Sequence, residues 1–391
     1  MRKERIKEIE RLRGLAFLAV VLQHSIAHYS VAPGMTMSDG VWMAVLLMAS
    51  KFAVPVFIFI TGMVLFYNDS GELNYRTFIT RRLSVIFVPF ALWTIIHVIV
   101  NQSIQFDSAD GWMKLGGMLV TGKASSHLWY IIMLFQLYLL YPVIRSVIRR
   151  IVARFTHRVN IGLLFAAGIA FIILTDNIPH ITRFMGELHL PVWSDLFTTY
   201  ADRNSLYFSF YFVLGAAAGL NPEMWSKWIS RARPVYWTVF FFLFGFLLME
   251  GIQEVWRGEG LRITFYSLSL LKPVMAVFLI SSILAMYDAA GWICRYGGSR
   301  INSVLSNLGL YSFGAYLMHL LTLRISYMVD ENMLISAPSW VRIFSSWIIS
   351  AVLAYYGTRI ISLIPFGKWL TGVSVRKKKT ERPGKETTVS A

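Results

Sequence analysis

The feature that most constrains this chain is the recurrence of long apolar runs along nearly its whole length. A helix needs roughly 17 to 25 predominantly apolar residues to cross the hydrocarbon core of a bilayer. The runs predict an all-α integral membrane protein with about ten transmembrane helices. We place these helices at residues 13–31, 41–67, 83–102, 127–145, 160–175, 204–220, 234–251, 264–288, 304–326 and 339–365.

Composition agrees with this class, because hydrophobic residues make up 56% of the chain and charged residues only 15%. The mean hydropathy is +0.56. The amphipathic stretch GWMKLGGMLV at 111–120 is too short to cross a bilayer, so we expect it at the interface or as a re-entrant piece. The first run is long enough to span, and we interpret it as a retained helix and not as a cleaved signal.

Orientation follows from the distribution of Lys and Arg, since short loops rich in these residues stay cytoplasmic. With the N-terminus inside, the predicted cytoplasmic segments carry 26 of them and the outward loops only 6. Both termini are therefore predicted to be cytoplasmic. The formal charge of +16 reflects this topology, and its dispersal over many short loops argues against nucleic-acid binding.

The lone Cys294 excludes an intrachain disulfide and a cysteine-based metal cluster. We expect no metal and no tightly bound cofactor. The membrane domain is predicted to occupy residues 1–370. Residues 371–391 form a basic tail that is expected to be disordered on the cytoplasmic side.

An arginine and a histidine in the first run, ERLRGLAFLAVVLQHS, are spaced so that they share one face of a helix. At about 100° per residue, the step from Arg13 to His24 ends about 20° past three full turns and rises about 16 Å. Arg13 then lies at the cytoplasmic boundary and His24 near the middle of the membrane. His28 lies about 40° off that line.

Other polar residues are predicted at the middle or outer depth of the membrane, where ionisable groups usually face a cavity or one another. Ser312, Tyr316 and His319 are spaced to share one face of the ninth helix. The further candidates for contacts with a polar cavity are Lys51, His97, Lys272 and Ser312.

Structural roles are alternatives for each of these residues. A buried histidine, serine or tyrosine also serves as a hydrogen-bonding contact between helices. A lysine can extend its ammonium group to the interface, and Arg13 alone would be an ordinary interfacial anchor.

Several segments together resemble the acyltransferase family 3 membrane proteins. The first-helix stretch has the family's basic residue, ten intervening residues and histidine. The other segments agree in chain order: VPVFIFITGMVLF (54–66), HLWYIIMLFQLYLLYPVI (127–144), YFVLGAAAG (211–219) and YSFGAYLMH (311–319). The resemblance covers essentially the whole membrane domain.

The resemblance implies acyl transfer across the bacterial cytoplasmic membrane, from cytoplasmic acyl-CoA to a hydroxyl of an extracytoplasmic or lipid-linked glycan. Acetyl is the first expectation and succinyl the second, and the nearest subgroup acts on polysaccharides of the intercellular-adhesion type. By the same resemblance Arg13, Arg81 and Arg82 are assigned to donor binding. The family often has Arg-x-x-Arg where this chain has Arg81 and Arg82 adjacent.

The residues also fit the chemistry directly. An imidazole titrates near neutral pH and can take the proton of an attacking hydroxyl, so His24 is predicted as the general base or as a site of transient acylation. A guanidinium forks well onto phosphate, which suits Arg13 to coenzyme A. Tyr316 and His319 are the further catalytic candidates, as donors to the oxyanion. The alternative functions are an exporter of polysaccharide or lipid-linked sugar, and a scaffold with a polar interior.

Overall fold

A computed structural model of the protein describes residues 6–69, 71–257, 265 and 268–373. Within these ranges the chain is helical and contains no β-strand, which confirms the all-α prediction. The predicted tail lies outside the described residues from position 374 onward.

Sixteen α-helices follow one another along the described chain. They are α1 (Lys7–Tyr29), α2 (Met37–Ser50), α3 (Ala53–Tyr67), α4 (Tyr75–Arg82), α5 (Val88–Val100), α6 (Ala109–Thr121), α7 (Trp129–Arg154), α8 (His157–Asp176), α9 (Ile178–Leu188), α10 (Trp193–Phe197), α11 (Ser209–Leu220), α12 (Pro222–Arg257), α13 (Pro273–Tyr296), α14 (Ser299–Met333), α15 (Ser339–Leu363) and α16 (Gly367–Thr371). One π-helical turn, Leu83–Phe87, joins α4 to α5.

Eight helical segments among the described residues are long and apolar enough to cross a membrane. They match eight of the ten predicted spans. The other two predicted spans are also helical, but α1 begins with several charged residues and the helix Ser205–Leu220 is shorter. The chain is thus a multi-pass membrane protein.

The second predicted span is interrupted near its middle. Helix α2 ends at Ser50 and α3 begins at Ala53, so that Lys51 and Phe52 form a break. Pro55 explains the break, because its ring lacks an N–H and clashes with the carbonyl four residues earlier, which belongs to Lys51. Gln23 of α1 donates a side-chain hydrogen bond to the carbonyl of Ser50, and this bond ties the break to the first helix.

Glycines allow two pairs of helices to approach backbone to backbone, as small residues do in membrane bundles. A Cβ on Gly309 of α14 would lie 1.9 Å from the carbonyl oxygen of Glu10 in α1. A Cβ on Gly215 of α11 would lie 2.0 Å from the carbonyl oxygen of Phe59 in α3. The first of these contacts brings together the two helices that carry most of the predicted site.

The short amphipathic stretch predicted at 111–120 forms α6, with Ser108 as its N-cap and Gly122, at φ +68°, as its C-cap. It precedes α7 on the side of the bundle where α1 ends. The eighth run starts later than predicted, since α13 begins at Pro273 and not at 264. Proline favours the first turn of a helix and so fixes this start.

Candidate active site

A cavity of about 240 Å³ lies among α1, α3, α7 and α14, toward the arginine-rich end of the bundle. Its wall is largely apolar, and Gly372 and Val373 after α16 close part of it. The polar side chains that line it are those of Arg13, Thr61, Arg82, Tyr130, Tyr138, Ser312 and Tyr316.

Two guanidinium groups face this cavity. Neither Arg13 nor Arg82 forms a salt bridge within the described chain, although the carboxylate of Glu10, one turn before Arg13, acts on it electrostatically. Arg82 packs its guanidinium over the rings of Phe78 and Tyr138, at 5.2 and 5.0 Å from their centroids, and its buried Nε has no hydrogen-bond partner among the described residues. The cavity therefore presents two guanidinium groups that no salt bridge of the described residues occupies, which suits an anionic group such as phosphate.

Arg81 lies elsewhere, although it was assigned to donor binding together with Arg82. It is exposed and does not line the cavity. Adjacent residues on a helix point about 100° apart, so only one of two neighbouring arginines at the end of α4 can face the interior. Of the two arginines assigned to donor binding, only Arg82 therefore lines the cavity.

The inner end of the cavity is formed by α14. The hydroxyl of Ser312 donates to the carbonyl of Gly309 at 2.9 Å, so its proton is already used in a hydrogen bond within α14. The hydroxyl of Tyr316 donates to the backbone carbonyl of His127. Tyr316 therefore connects the arginine-lined cavity to the segment that precedes α7.

Four imidazole rings lie together just beyond Tyr316, and we call them the histidine cluster: His24, His97, His127 and His319. Ring centroids are 5.1 Å apart for His24 and His319, and 4.7 Å apart for His127 and His319. His97 of α5 lies 5.2 Å from His127 and faces the carbonyl of Leu317 at 3.3 Å. Four separate parts of the chain supply these rings.

The rings of the histidine cluster differ in their exposure and hydrogen bonding. His319 and His127 are buried, at 0% and 1% exposure, whereas His24 is only half-buried. Nδ1 of His319 faces the carbonyl of Tyr316 at 2.5 Å, and its Nε2 has no partner in the described chain. Both ring nitrogens of His127 are likewise without a partner there. In the described part of the protein no group of three or more His, Cys, Asp or Glu residues is arranged to hold a metal ion.

Neither of the two lysines proposed as polar-cavity contacts lines the arginine cavity. Lys51 is half-buried at the break between α2 and α3, and it does not line the arginine cavity. Lys272 is exposed at the N-cap of α13. The late start of α13 places Lys272 before the helix and not inside the membrane span.

His127 is the member of the site that the sequence did not identify as a functional residue. It immediately precedes the Leu-Trp-Tyr segment and was included only as the first residue of a predicted span. The signal available was an imidazole at the start of an apolar run, at the end of the predicted span that faces the outer side of the membrane. Such a residue resembles an ordinary interfacial side chain until the neighbouring helices are assembled.

A family model described as an acyltransferase domain matches residues 6–366. The match begins just before α1 and ends between α15 and α16, so it includes every residue of the histidine cluster and the arginines of the cavity. No curated protein and no solved structure matches the chain.

Proposed function

The chain belongs to acyltransferase family 3, and from this premise we propose that it transfers an acyl group from cytoplasmic acyl-CoA to a hydroxyl of an extracytoplasmic or lipid-linked glycan. Acetyl is the group that we propose first, with succinyl as the second candidate. The membrane is proposed to be the cytoplasmic membrane of a bacterium, with both termini inside.

The observation that carries this proposal is the connection between the arginine cavity and the histidine cluster through Tyr316. Arg13 and Arg82 would bind the phosphates of coenzyme A, since both line the cavity and neither forms a salt bridge in the described chain. Helix α1 runs without a break from Lys7 to Tyr29, so the rise from Arg13 to His24 is about 16 Å. An extended pantetheine arm has the length to carry the thioester along this path.

The transfer then needs a base, and His24 is the imidazole of the cluster that retains accessible surface. The acceptor oxygen would attack the thioester carbonyl while its proton passes to a ring nitrogen of His24. The C–S bond breaks, the new ester forms, and the thiolate of coenzyme A leaves and recovers a proton. His319 lies 5.1 Å from His24 and its Nε2 is without a partner in the described chain, so it would polarise the carbonyl oxygen, whereas Tyr316 could do so only by releasing the carbonyl of His127.

Transfer of labelled acetyl from acetyl-CoA, by purified protein in proteoliposomes, tests the proposal. The label should appear on a glycan acceptor, and coenzyme A should be released in equal amount. Transport of the glycan across the liposome membrane with no requirement for acetyl-CoA would contradict the proposal and favour an exporter.

A further inference from the structure

A second and larger cavity, of about 670 Å³, lies on the opposite face of α7 from the arginine cavity. Its volume falls in the range of about 300 to 1,000 Å³ that is usual for ligand pockets. The wall is formed by α6, the first turns of α7 and the segment 192–203. The apolar lining includes Phe87, Leu119, Val120, Ile132, Phe135 and Leu196.

One end of this pocket carries two cations that share an aromatic ring. The guanidinium of Arg203 lies 5.2 Å from the ring centroid of Tyr200, and the ammonium of Lys123 lies 4.6 Å from it. Arg203 and Tyr200 line the pocket directly. The pocket thus combines a long apolar wall with a positively charged end.

Arg203 is held in place by its surroundings. Its Nη1 donates to the carbonyl of Thr121 at 2.7 Å, and its own carbonyl accepts from Gln136 at 2.9 Å. Its side chain is only 14% exposed, and its buried Nε makes no hydrogen bond within the described residues. The only partner of this Nε among the described residues is the exposed carboxylate of Asp202, in an ion pair without a hydrogen bond, so a ligand atom could still complete the donor.

Two carboxylates lie near Arg203, but both are exposed to solvent, so neither forms a buried ion pair that would neutralise its charge. Asp202 approaches Nε of Arg203 at 3.5 Å, but its side chain is 54% exposed. Asp195 lines the pocket and is also exposed. Both carboxylates can turn toward water, whereas the guanidinium cannot.

The charged end is close along the chain to the histidine cluster. Lys123 and His127 lie in the same short connection between α6 and α7. Four residues of extended chain span at most about 14 Å. The backbone at Lys123 therefore lies within about 14 Å of the backbone at His127, near enough for the first sugars of a bound glycan to reach the imidazoles.

We propose that this pocket binds the acceptor as a lipid-linked sugar, in which a phosphate joins an apolar chain to the glycan. The chain would fill the apolar pocket, the phosphate would bind Arg203 and Lys123, and the first sugars would reach His24. This inference rests on the proposed acyl transfer and specifies its acceptor. An ordinary phospholipid has the same chain and charge but offers no glycan hydroxyl to the cluster.

Binding of farnesyl phosphate to the purified full-length protein tests the pocket without any acyl transfer. We expect Arg203→Gln and Lys123→Gln each to weaken this binding by about tenfold, as expected for loss of a charge-assisted contact to phosphate. The matched control is Arg183→Gln, because Arg183 of α9 is exposed and does not line the pocket. Arg203→Gln also removes the bond to Thr121, whereas Lys123 is exposed and contributes a ring contact with Tyr200, so Lys123→Gln disturbs the packing less.

A second assay compares a lipid-linked sugar with the same sugar released from its lipid, using acetyl-CoA as donor. The two pocket variants should reduce transfer to the lipid-linked sugar and leave acetyl-CoA binding unchanged. The inference would be overturned if farnesyl phosphate bound no more tightly than phosphatidylglycerol. Equal binding of farnesyl phosphate to the Arg203, Lys123 and Arg183 variants would overturn it as well. Failure of acetyl-CoA to bind would instead overturn the proposed acyl transfer and leave the farnesyl phosphate result standing.

Discussion

The imidazole rings of His24 and His319 lie with their centroids 5.1 Å apart, although they come from opposite ends of the chain. Helices α1 and α14 carry them, and these helices touch through Gly14 and Gly309, each about three helical turns before the histidine of its helix. The close helix contact sets the distance between the two rings. Catalysis at this site would therefore depend on packing far from the imidazoles as well as on the imidazoles themselves.

Replacement of His24 tests its role as the base. His24→Gln keeps a polar side chain of similar size but cannot take a proton at neutral pH, so transfer should fall by about 10² to 10⁴ while acyl-CoA binding is retained. His28→Gln is the matched control, since His28 stacks on Tyr327 at 3.7 Å and lies outside the cluster. Acyl transfer by both variants is measured at matched expression. Full activity in His24→Gln, or equal losses in the two, would assign His24 to packing.

The donor end is tested by three arginine variants. Arg13→Ala and Arg82→Ala should each weaken acyl-CoA binding by about tenfold, because each removes a charged contact to phosphate. Arg81→Ala should have little effect, since Arg81 is exposed and outside the cavity. Arg13→Lys should recover part of the affinity, because lysine keeps the charge and loses the fork. Equilibrium binding measures these affinities. Equal affinities of the Arg81 and Arg82 variants for acyl-CoA would contradict the proposal that the cavity binds the donor through Arg82.

The orientation in the membrane is tested at Cys294, which is the only cysteine of the chain and is half-buried near the end of α13. The excess of Lys and Arg in alternate loops predicts that this end of α13 is cytoplasmic. An impermeant maleimide should label Cys294 in inverted membrane vesicles and not in intact cells. Labelling of intact cells would reverse the predicted topology, with a Cys294→Ser variant as the control for specificity.

The contact between α3 and α11 predicts a sharp difference between two glycines. Gly215→Ala would place a Cβ 2.0 Å from the carbonyl of Phe59, so the helices must separate, at a cost of about 1 to 3 kcal/mol. Gly245→Ala in α12 meets no atom within 4 Å and should be neutral or stabilising by up to about 1 kcal/mol. Thermal unfolding in detergent measures both. Equal melting temperatures for the two variants would mean that the close helix contact is absent.

The ion pair of Asp69, in the loop after α3, should make the free energy of unfolding depend on pH. Burial by itself raises the pKa of Asp69, but hydrogen bonds from Arg145 and from the Gly71 N–H outweigh burial and leave that pKa below its usual range. The stabilisation is therefore complete above the unfolded-state pKa of about 3.9 and is lost as the pH falls through the lower folded-state pKa.

Asp69→Asn should consequently lower the free energy of unfolding by about 1.5 to 3 kcal/mol at pH 7, because it removes the charged partner of Arg145. This difference from the native protein should shrink below about pH 4. Unfolding curves of both proteins across this range provide the measurement. A difference that is constant at every pH would show that the charge of Asp69 contributes nothing.

Much of the architecture could be predicted from the sequence, because it depends on local properties of the chain. Apolar runs of sufficient length give helices, since a backbone in hydrocarbon must satisfy its own hydrogen bonds. The fixed rotation per residue places Arg13 and His24 on one face of α1, and that helix is unbroken between them. The spacing of Ser312, Tyr316 and His319 on α14 follows in the same way.

Other features depended on how helices pack against one another, which no local rule specifies. Helical periodicity gave no means to distinguish Arg81 from Arg82, whereas the packing of α4 beside α7 turns only Arg82 inward. The start of α13 at Pro273 left Lys272 exposed, although the apolar run before it suggested a longer span. His127 joins the cluster only because the chain before α7 passes between α5 and α14.

Sequence alone thus determined the membrane class, the helices and the alignment of residues within each helix, because each of these is set by hydrogen bonding and rotation along one segment. Tertiary structure alone decided which of those residues meet, because distances between helices are set by side-chain volume at their contacts. The glycines that let α1 touch α14 are the physical reason that His24 and His319 form one site.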